Sequence, residues 1–328
     1  MRPSRAFVAE DGAQWGHCGG GRTTRDTRST QGGTTAIIDR RGQDRTTLHR
    51  TSTQSMTGEG YRLSRSLVMP SRTRTTHTIR NTAMASILAS LALASTAHAG
   101  TTGTVSLTSD YIFRGTTQTN QEPALQGGVE YAAESGAYIG TWGSNVSWLS
   151  DLSTPAAPIS SSLELDVYGG YRGKFNDTVS YDVGALYYWY PGDFPSGFNS
   201  ADTLEVYAGI SVAASEKITL GAKYSVAATD LFGYADSSGS GYLDLSANFV
   251  VAEGWTLGAH AGKQWIEGSG NGAFEYADWK LGITKAFSNG FSVGLAYTGT
   301  DADDALYVNP YGNKTARDTV ALTVTKAF

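Results

Sequence analysis

The chain has 328 residues and a formal net charge of −5, from 25 Lys and Arg against 30 Asp and Glu. That balance averages two unlike pieces: residues 1–99 carry 14 basic residues, every one Arg, against 6 acids, which leaves 11 basic and 24 acidic residues in 100–328. The only cysteine, Cys18, lies in the first piece, so the remainder has neither disulfide nor thiol chemistry, and it shows no nucleic-acid signature.

Residues 1–68 are rich in Arg, Thr and Gly and have no sustained apolar period. Such a stretch cannot bury enough surface to offset chain entropy. It reads as a disordered or non-native extension upstream of a start at Met69 or Met84. Residues 69–99 read as a secretory signal peptide. Arg72, Arg74 and Arg80 make a basic region, Ile87 to Ala94 a short apolar one, and Ala97-His98-Ala99 a small-x-small site with cleavage after Ala99. The apolar run is too short to span a bilayer as a helix.

From Gly100 onward no apolar run has the length of a membrane helix. Alternating segments of roughly ten residues recur instead, the length a tilted strand needs to cross a bilayer. Twelve are predicted: 104–115, 124–133, 137–146, 163–172, 178–190, 203–213, 218–229, 242–252, 255–266, 275–287, 291–300 and 318–328. Every second connection is a short turn, such as Glu134-Ser135-Gly136 or Ser288-Asn289-Gly290, and the others are long and polar. Sorting of this kind around an even strand count predicts an all-β fold: a closed transmembrane antiparallel barrel of about 12 strands, with the short turns in the periplasm.

Within the strands the two faces differ. Val179, Tyr181, Val183, Ala185, Tyr187 and Trp189 share one face, and Ser180, Asp182 and Gly184 the other. Aromatic residues gather at two depths, predicting membrane girdles. One comprises Tyr131, Tyr171, Trp255, Phe287, Phe291 and Phe328 near the short turns, the other Tyr111, Phe113, Tyr187, Trp189, Trp265 and Tyr297 near the long loops. The last strand, RDTVALTVTKAF, has a near copy in LGITKAF over 281–287. Each places a lysine, Lys326 or Lys285, on the apolar face two residues before a Phe, which suits a membrane surface where the ammonium reaches water.

The blocks Thr108-Ser-Asp-Tyr-Ile-Phe-Arg-Gly115, Pro123-Ala-Leu-Gln-Gly-Gly128, Gly140-Thr-Trp-Gly-Ser-Asn145, Glu164-Leu-Asp-Val-Tyr-Gly-Gly-Tyr171 and Tyr187-Tyr-Trp-Tyr-Pro-Gly192 resemble the TorF family of porins. The resemblance extends over essentially all of 100–328. It implies an outer-membrane barrel with a pore role and no defined solute.

The inward, pore-lining charges on this assignment are Asp110, Arg114, Glu130, Glu164, Asp166, Arg172, Asp182, Glu205, Lys223, Asp244, Asp278 and Lys280. Eight acids against four bases predict a lumen that prefers cations. The alternative is a plugged lumen in which Asp110 pairs with Arg114 and Asp278 with Lys280, giving a structural barrel, or an adhesin or receptor acting through its outer loops. No cofactor or metal is expected; Asp301, Asp303 and Asp304 match no full ligand loop and read as a solvated loop tip. Barrel-wall lipid hydrolases need a Ser–His pair near the lipid face, whereas His260, the only histidine after Ala99, faces inward without a Ser motif. The expected function is therefore a porin, not an enzyme, in the bacterial outer membrane. Its expected partners are membrane lipid, small hydrophilic solutes and the insertion machinery that would engage the strand ending in Phe328.

Overall fold

A computed structural model describes residues 99–328; the expected extension (1–68) and all but the last residue of the expected signal peptide (69–99) lie outside the described residues. The described residues run as fourteen strands, twelve of which close into one antiparallel barrel. In chain order the wall strands are β1 (Gly100–Thr108), β4 (Ala124–Ala132), β5 (Ala137–Asn145), β6 (Leu163–Lys174), β7 (Val179–Trp189), β8 (Thr203–Ala213), β9 (Ile218–Ala227), β10 (Gly241–Ala252), β11 (Trp255–Trp265), β12 (Tyr276–Ala286), β13 (Phe291–Thr300) and β14 (Thr319–Ala327). Two short strands, β2 (Ile112–Phe113) and β3 (Thr116–Thr117), pair as a hairpin of their own.

The seam lies between the first and last wall strands, where Thr104 to Thr108 pair with Ala327 to Thr323. Phe328 N–H donates to the Gly103 carbonyl at 2.9 Å. Closure removes both sheet edges, which is what permits strands to stand in hydrocarbon.

Eleven of the twelve predicted strands coincide with wall strands to within two residues. The first does not. The wall strand runs from Gly100 to Thr108 and stops, and Ser109 N–H donates to the Leu322 carbonyl as the chain leaves the wall. Residues 110–119 then turn into the barrel. The β2–β3 turn has Arg114 at φ 45° and Gly115 at φ 80°, the positive-φ pair of a tight hairpin. The alternation of Asp110, Ile112 and Arg114 imitates a wall strand because a hairpin arm has the same period of two.

Outside, the wall is apolar: Leu107, Leu125, Ile139, Val167, Leu281 and Val320 are all exposed, Leu281 at 61 %. A belt of this kind is dressed for lipid rather than water. Tyr131, Tyr171, Trp255, Phe287, Phe291 and Phe328 are exposed near the short turns, and Tyr187, Trp189, Trp265 and Tyr297 near the long loops. Tyr187 and Tyr297 donate their hydroxyls to Asp202 and Asp318, keeping a polar handle at the loop end. Tyr111 and Phe113 do not join that girdle. They belong to the inserted hairpin, where Tyr111 is 3 % exposed against Trp142 and Phe113 packs on Tyr188 and Phe232.

The repeated Thr-Lys-Ala-Phe ending has a physical account. Lys285 Nζ donates to the Glu253 carbonyl at 2.9 Å and lies over the Trp255 ring, while Lys326 Nζ donates to the Asn289 carbonyl at 2.6 Å and lies over Phe291 and Phe328. Each ammonium caps the neighbouring short turn while its stem and the adjacent rings stay apolar.

Inside, several glycines act as seats for tyrosines. A Cβ at Gly140 would strike the Tyr168 ring, one at Gly170 the Tyr138 hydroxyl, and one at Gly262 the Tyr242 hydroxyl. Large rings therefore lie flat along the wall instead of filling the lumen. Gly184 shows the constraint most cleanly, since an added Cβ would sit 2.6 Å from both the Gly169 carbonyl and the Tyr207 hydroxyl. Gly184→Ala should cost about 1–3 kcal/mol through this overpacking, read as a lowered urea midpoint of the detergent-solubilised barrel; an unchanged midpoint would show that the wall yields.

Candidate lumen site

Strand register, not sequence proximity, assembles the interior. Following the cross-strand partners from β6 to β13, Arg172 faces Asp182, then Gly209, Lys223, Asp244, Gly262, Asp278 and Thr300. Five charged residues from five strands thus fall on one inclined ring. The neighbouring row toward the short turns brings Ser246, His260, Lys280 and Thr298 together. The row toward the loops carries Tyr138, Gly170, Gly184, Tyr207, Ser225, Tyr242, Gln264 and Tyr276.

The inserted hairpin is latched to this wall by one residue. Arg114 donates from Nη2 to Glu205 Oε2 at 2.7 Å and from Nη1 to Gln264 Oε1 at 2.9 Å, with its guanidinium 4.2 Å from the Tyr242 ring centroid. Both members of the ion pair are buried. Breaking such a pair leaves a charge stranded at about 3–5 kcal/mol. On the same hairpin stem, Tyr111 donates to Glu164 at 3.0 Å, and Thr117 donates to Asp110 Oδ1 at 2.6 Å. The far side is tied by Thr117 N–H to the Thr315 carbonyl.

A second cluster centres on Arg172, which holds Glu130 through two parallel bonds of 2.6 and 3.0 Å and Asp182 at 3.2 Å. Its guanidinium lies 3.7 Å from the Tyr138 ring centroid, and Tyr138 donates to Asp182 at 2.6 Å. A third centres on His260. Its Nδ1 lies 3.1 Å from Asp244, and its Nε2 lies 2.8 Å from Asp278 and 3.1 Å from the Tyr242 hydroxyl, which itself donates to Asp278 at 2.8 Å. Both ring nitrogens thus have partners, a carboxylate at Nδ1 and a carboxylate and a tyrosine hydroxyl at Nε2.

The twelve charges expected inside fall in two places. Ten sit on wall strands, whereas Asp110 and Arg114 sit on the inserted hairpin. The pairings differ from those considered for a plugged lumen: Arg114 takes Glu205 rather than Asp110, and Asp278 takes His260 rather than Lys280. The cause is depth, since Arg114 is carried across the lumen by the hairpin turn and His260 sits between Asp244 and Asp278 by register. Sequence reading gave no role to Gln264, Tyr242, Tyr138 or Tyr207, whose only signal was their alternation with glycine across strands. In the last long loop Asp301 accepts from Ala277 N–H, Asp303 from Ala305 N–H, and Asp304 pairs with Lys314; among the described residues no acidic or His/Cys group has a metal-holding arrangement.

Beneath the hairpin lies a cavity of about 280 Å³ whose walls include Arg114, Glu130, Arg172, Lys223, Asp244 and Lys280. A second cavity of about 120 Å³ lies toward the short turns and shares His260, Lys280, Ala296, Ala321 and Thr323 with the first.

A family model described as bacterial protein of unknown function (Gcw_chp) matches residues 92–328, the whole barrel. The chain belongs to the Gcw_chp family. No curated protein sequence matches it. Among solved structures this Gcw_chp barrel is similar to the KdgM porin, at 7 % identity over 69 % of this chain and 99 % of that one, with a TM-score of 0.45. It is similar to the NanC porin at 12 % identity over 69 % and 98 %, TM-score 0.46. The outer membrane channel DcaP of Acinetobacter baumannii gives 14 % identity over 66 % and 65 %, TM-score 0.36. At such distances none of them lends this Gcw_chp chain a solute.

Asp110 offers a test of the hairpin seat. Burial pushes its carboxyl above the ordinary 3.8, opposed by the Thr117 and Thr119 hydroxyls, and its Oδ2 has no partner. A carboxyl raised on folding binds its proton more tightly in the folded state. Its favourable contribution is therefore complete below 3.8 and is lost as pH rises through the raised value. Asp110→Asn, which cannot ionise, should raise the urea midpoint at neutral pH and change it little below 3.8. An equal effect at both would show that the carboxyl is not the strained group.

Proposed function

We propose that this Gcw_chp barrel is an outer-membrane porin through which small hydrophilic solutes diffuse passively, narrowed at rest by the hairpin that Arg114 latches. The observation that carries this reading is the cavity of about 280 Å³ beneath the hairpin, with charged residues in its lining, which shares wall residues with a second cavity toward the short turns. A barrel with only a structural role has no need of an unfilled, charge-lined interior. Twelve strands lie between the eight that side chains fill and the sixteen to eighteen that leave an aqueous channel, so the inserted hairpin decides the bore. The resemblance to the TorF porins points the same way.

The apolar belt, the two aromatic rings of residues and the capped short turns support placement in the outer membrane with the short turns and both barrel termini in the periplasm. Export by the leader cleaved after Ala99 fits that placement. The strand ending in Phe328, exposed at 74 % beside the closing seam, is where insertion machinery would engage.

The second reading, a closed barrel acting as adhesin or receptor through its outer loops, is favoured by the buried Arg114–Glu205 latch and the aromatic cluster around Tyr111, Trp142, Tyr188 and Tyr190. Conductance separates the two. The full chain, expressed and recovered from outer membranes, should give discrete steps in a planar bilayer. Arg114→Met with Glu205→Gln releases the hairpin without stranding a charge, and should raise the conductance severalfold. Silence of both proteins after verified insertion would sink the porin reading and favour the loops.

A further inference from the structure

Charge inside this barrel is distributed very differently from the count of eight acids and four bases. Seven of the acids accept hydrogen bonds from partners. Glu130 and Asp182 are taken by Arg172, Glu205 by Arg114, Asp244 and Asp278 by His260, Asp110 by Thr117 and Glu164 by Tyr111. The eighth, Asp166, is buried at 2 % exposure. Asp244, Asp278, Glu164 and Glu205 are buried as well, so solute in the cavity meets little of their surface.

Two of the bases are in the opposite situation. Lys223 and Lys280 are only half-buried, both line the larger cavity, and among the described residues neither has a carboxylate within ion-pair distance. Lys223 stands opposite Asp244 in register, with its ammonium 5.5 Å from the Tyr207 ring centroid. Lys280 stands opposite His260 and lines both cavities, so it marks their junction. Asp244 lies within electrostatic reach of both lysines but directs its Oδ1 to His260. Each ammonium has three donors and no acceptor, and a carboxylate is the partner that satisfies it. Ser225 and Thr298 line the same cavity and add hydroxyl groups.

We propose that the cavity between Lys223 and Lys280 is a binding station for a small organic anion bearing carboxylate groups. Resting on the porin reading, this identifies the solute class by the two ammonium groups that line the cavity with no carboxylate in ion-pair distance among the described residues. The hairpin then closes over the station from the loop side, with Arg114 already neutralised by Glu205 and unavailable to the anion.

The test uses two four-carbon probes of opposite charge, succinate and putrescine, titrated calorimetrically into the full-chain product purified from outer membranes in detergent. Succinate should bind and putrescine should not. Lys223→Gln and Lys280→Gln should each weaken succinate roughly tenfold, the loss of one charge-assisted contact, while Lys→Arg at either position retains it. On the unaltered protein, succinate should also protect both lysines from reductive methylation, read by mass spectrometry, which keeps the test valid if a variant fails to fold. Preferential putrescine binding, succinate binding indifferent to both lysines, or neither binding nor protection would overturn the proposal. The bilayer recordings keep the two readings apart. A barrel that binds succinate but stays silent retains the station and loses the porin, and one that conducts without binding or protection does the reverse.

Discussion

Everything in this structure depends on closure of the hydrogen-bond ladder. Twelve strands, each alternating apolar and polar residues, would as an open sheet present one long apolar face and two unpaired edges. Pairing β1 with β14 removes the edges and converts the two faces into an outside and an inside. The composition follows from that conversion. Leu, Val and Ile face out because nothing else is stable against hydrocarbon, and the charges face in because there is nowhere else at that depth for them to go. The register that closes the ring also fixes which charges meet, since each strand is staggered against the next and residues far apart in sequence share a level.

The inside is a wall problem before it is a pore problem. Polar side chains long enough to cross the lumen would fill it. Glycine opposite tyrosine lets the ring lie along the wall, and the hydroxyl then reaches past the adjacent strand to a carboxylate on the next one, as Tyr138 serves Asp182 and Tyr242 serves Asp278. The same arrangement satisfies buried acids and keeps open a cavity they would otherwise obstruct. Among the described residues only the β2–β3 hairpin crosses the interior, and it does so by carrying its own cation to a buried acid. An arginine entering this space without Glu205 would be expensive; with it, the hairpin has a single preferred seat.

The wall was legible in the sequence because period-two alternation and the sorting of loop lengths are local signals, and eleven strands follow from them. The hairpin was not, for a physical reason. From Thr104 to Gly115 the alternation is interrupted only at Ser109 and Ile112, so Tyr111 and Phe113 look like girdle residues and Asp110 and Arg114 like wall residues. What distinguishes the hairpin is backbone conformation at Arg114-Gly115, and an Arg-Gly pair is a weak announcement of a turn usually built from Asn-Gly. Ion pairing was still less accessible. Asp278 lies two residues from Lys280 on one face, yet register gives it His260 from the adjacent strand.

This last point bears on how selectivity should be read from a barrel sequence. A count of inward charges treats every carboxylate as field, but a carboxylate that accepts from an arginine at 2.7 Å and is itself buried, as Glu205 does from Arg114, contributes little to what a solute encounters. The electrostatics of a narrow lumen are set by groups that are both exposed and unpaired, and here the majority charge is the one consumed by internal structure. Acids outnumber bases because the tyrosine-lined wall, the hairpin latch and the His260 cluster each need acceptors. The two lysines are the charges left without an ion-pair partner among the described residues, and it is these that a carboxylate solute would meet.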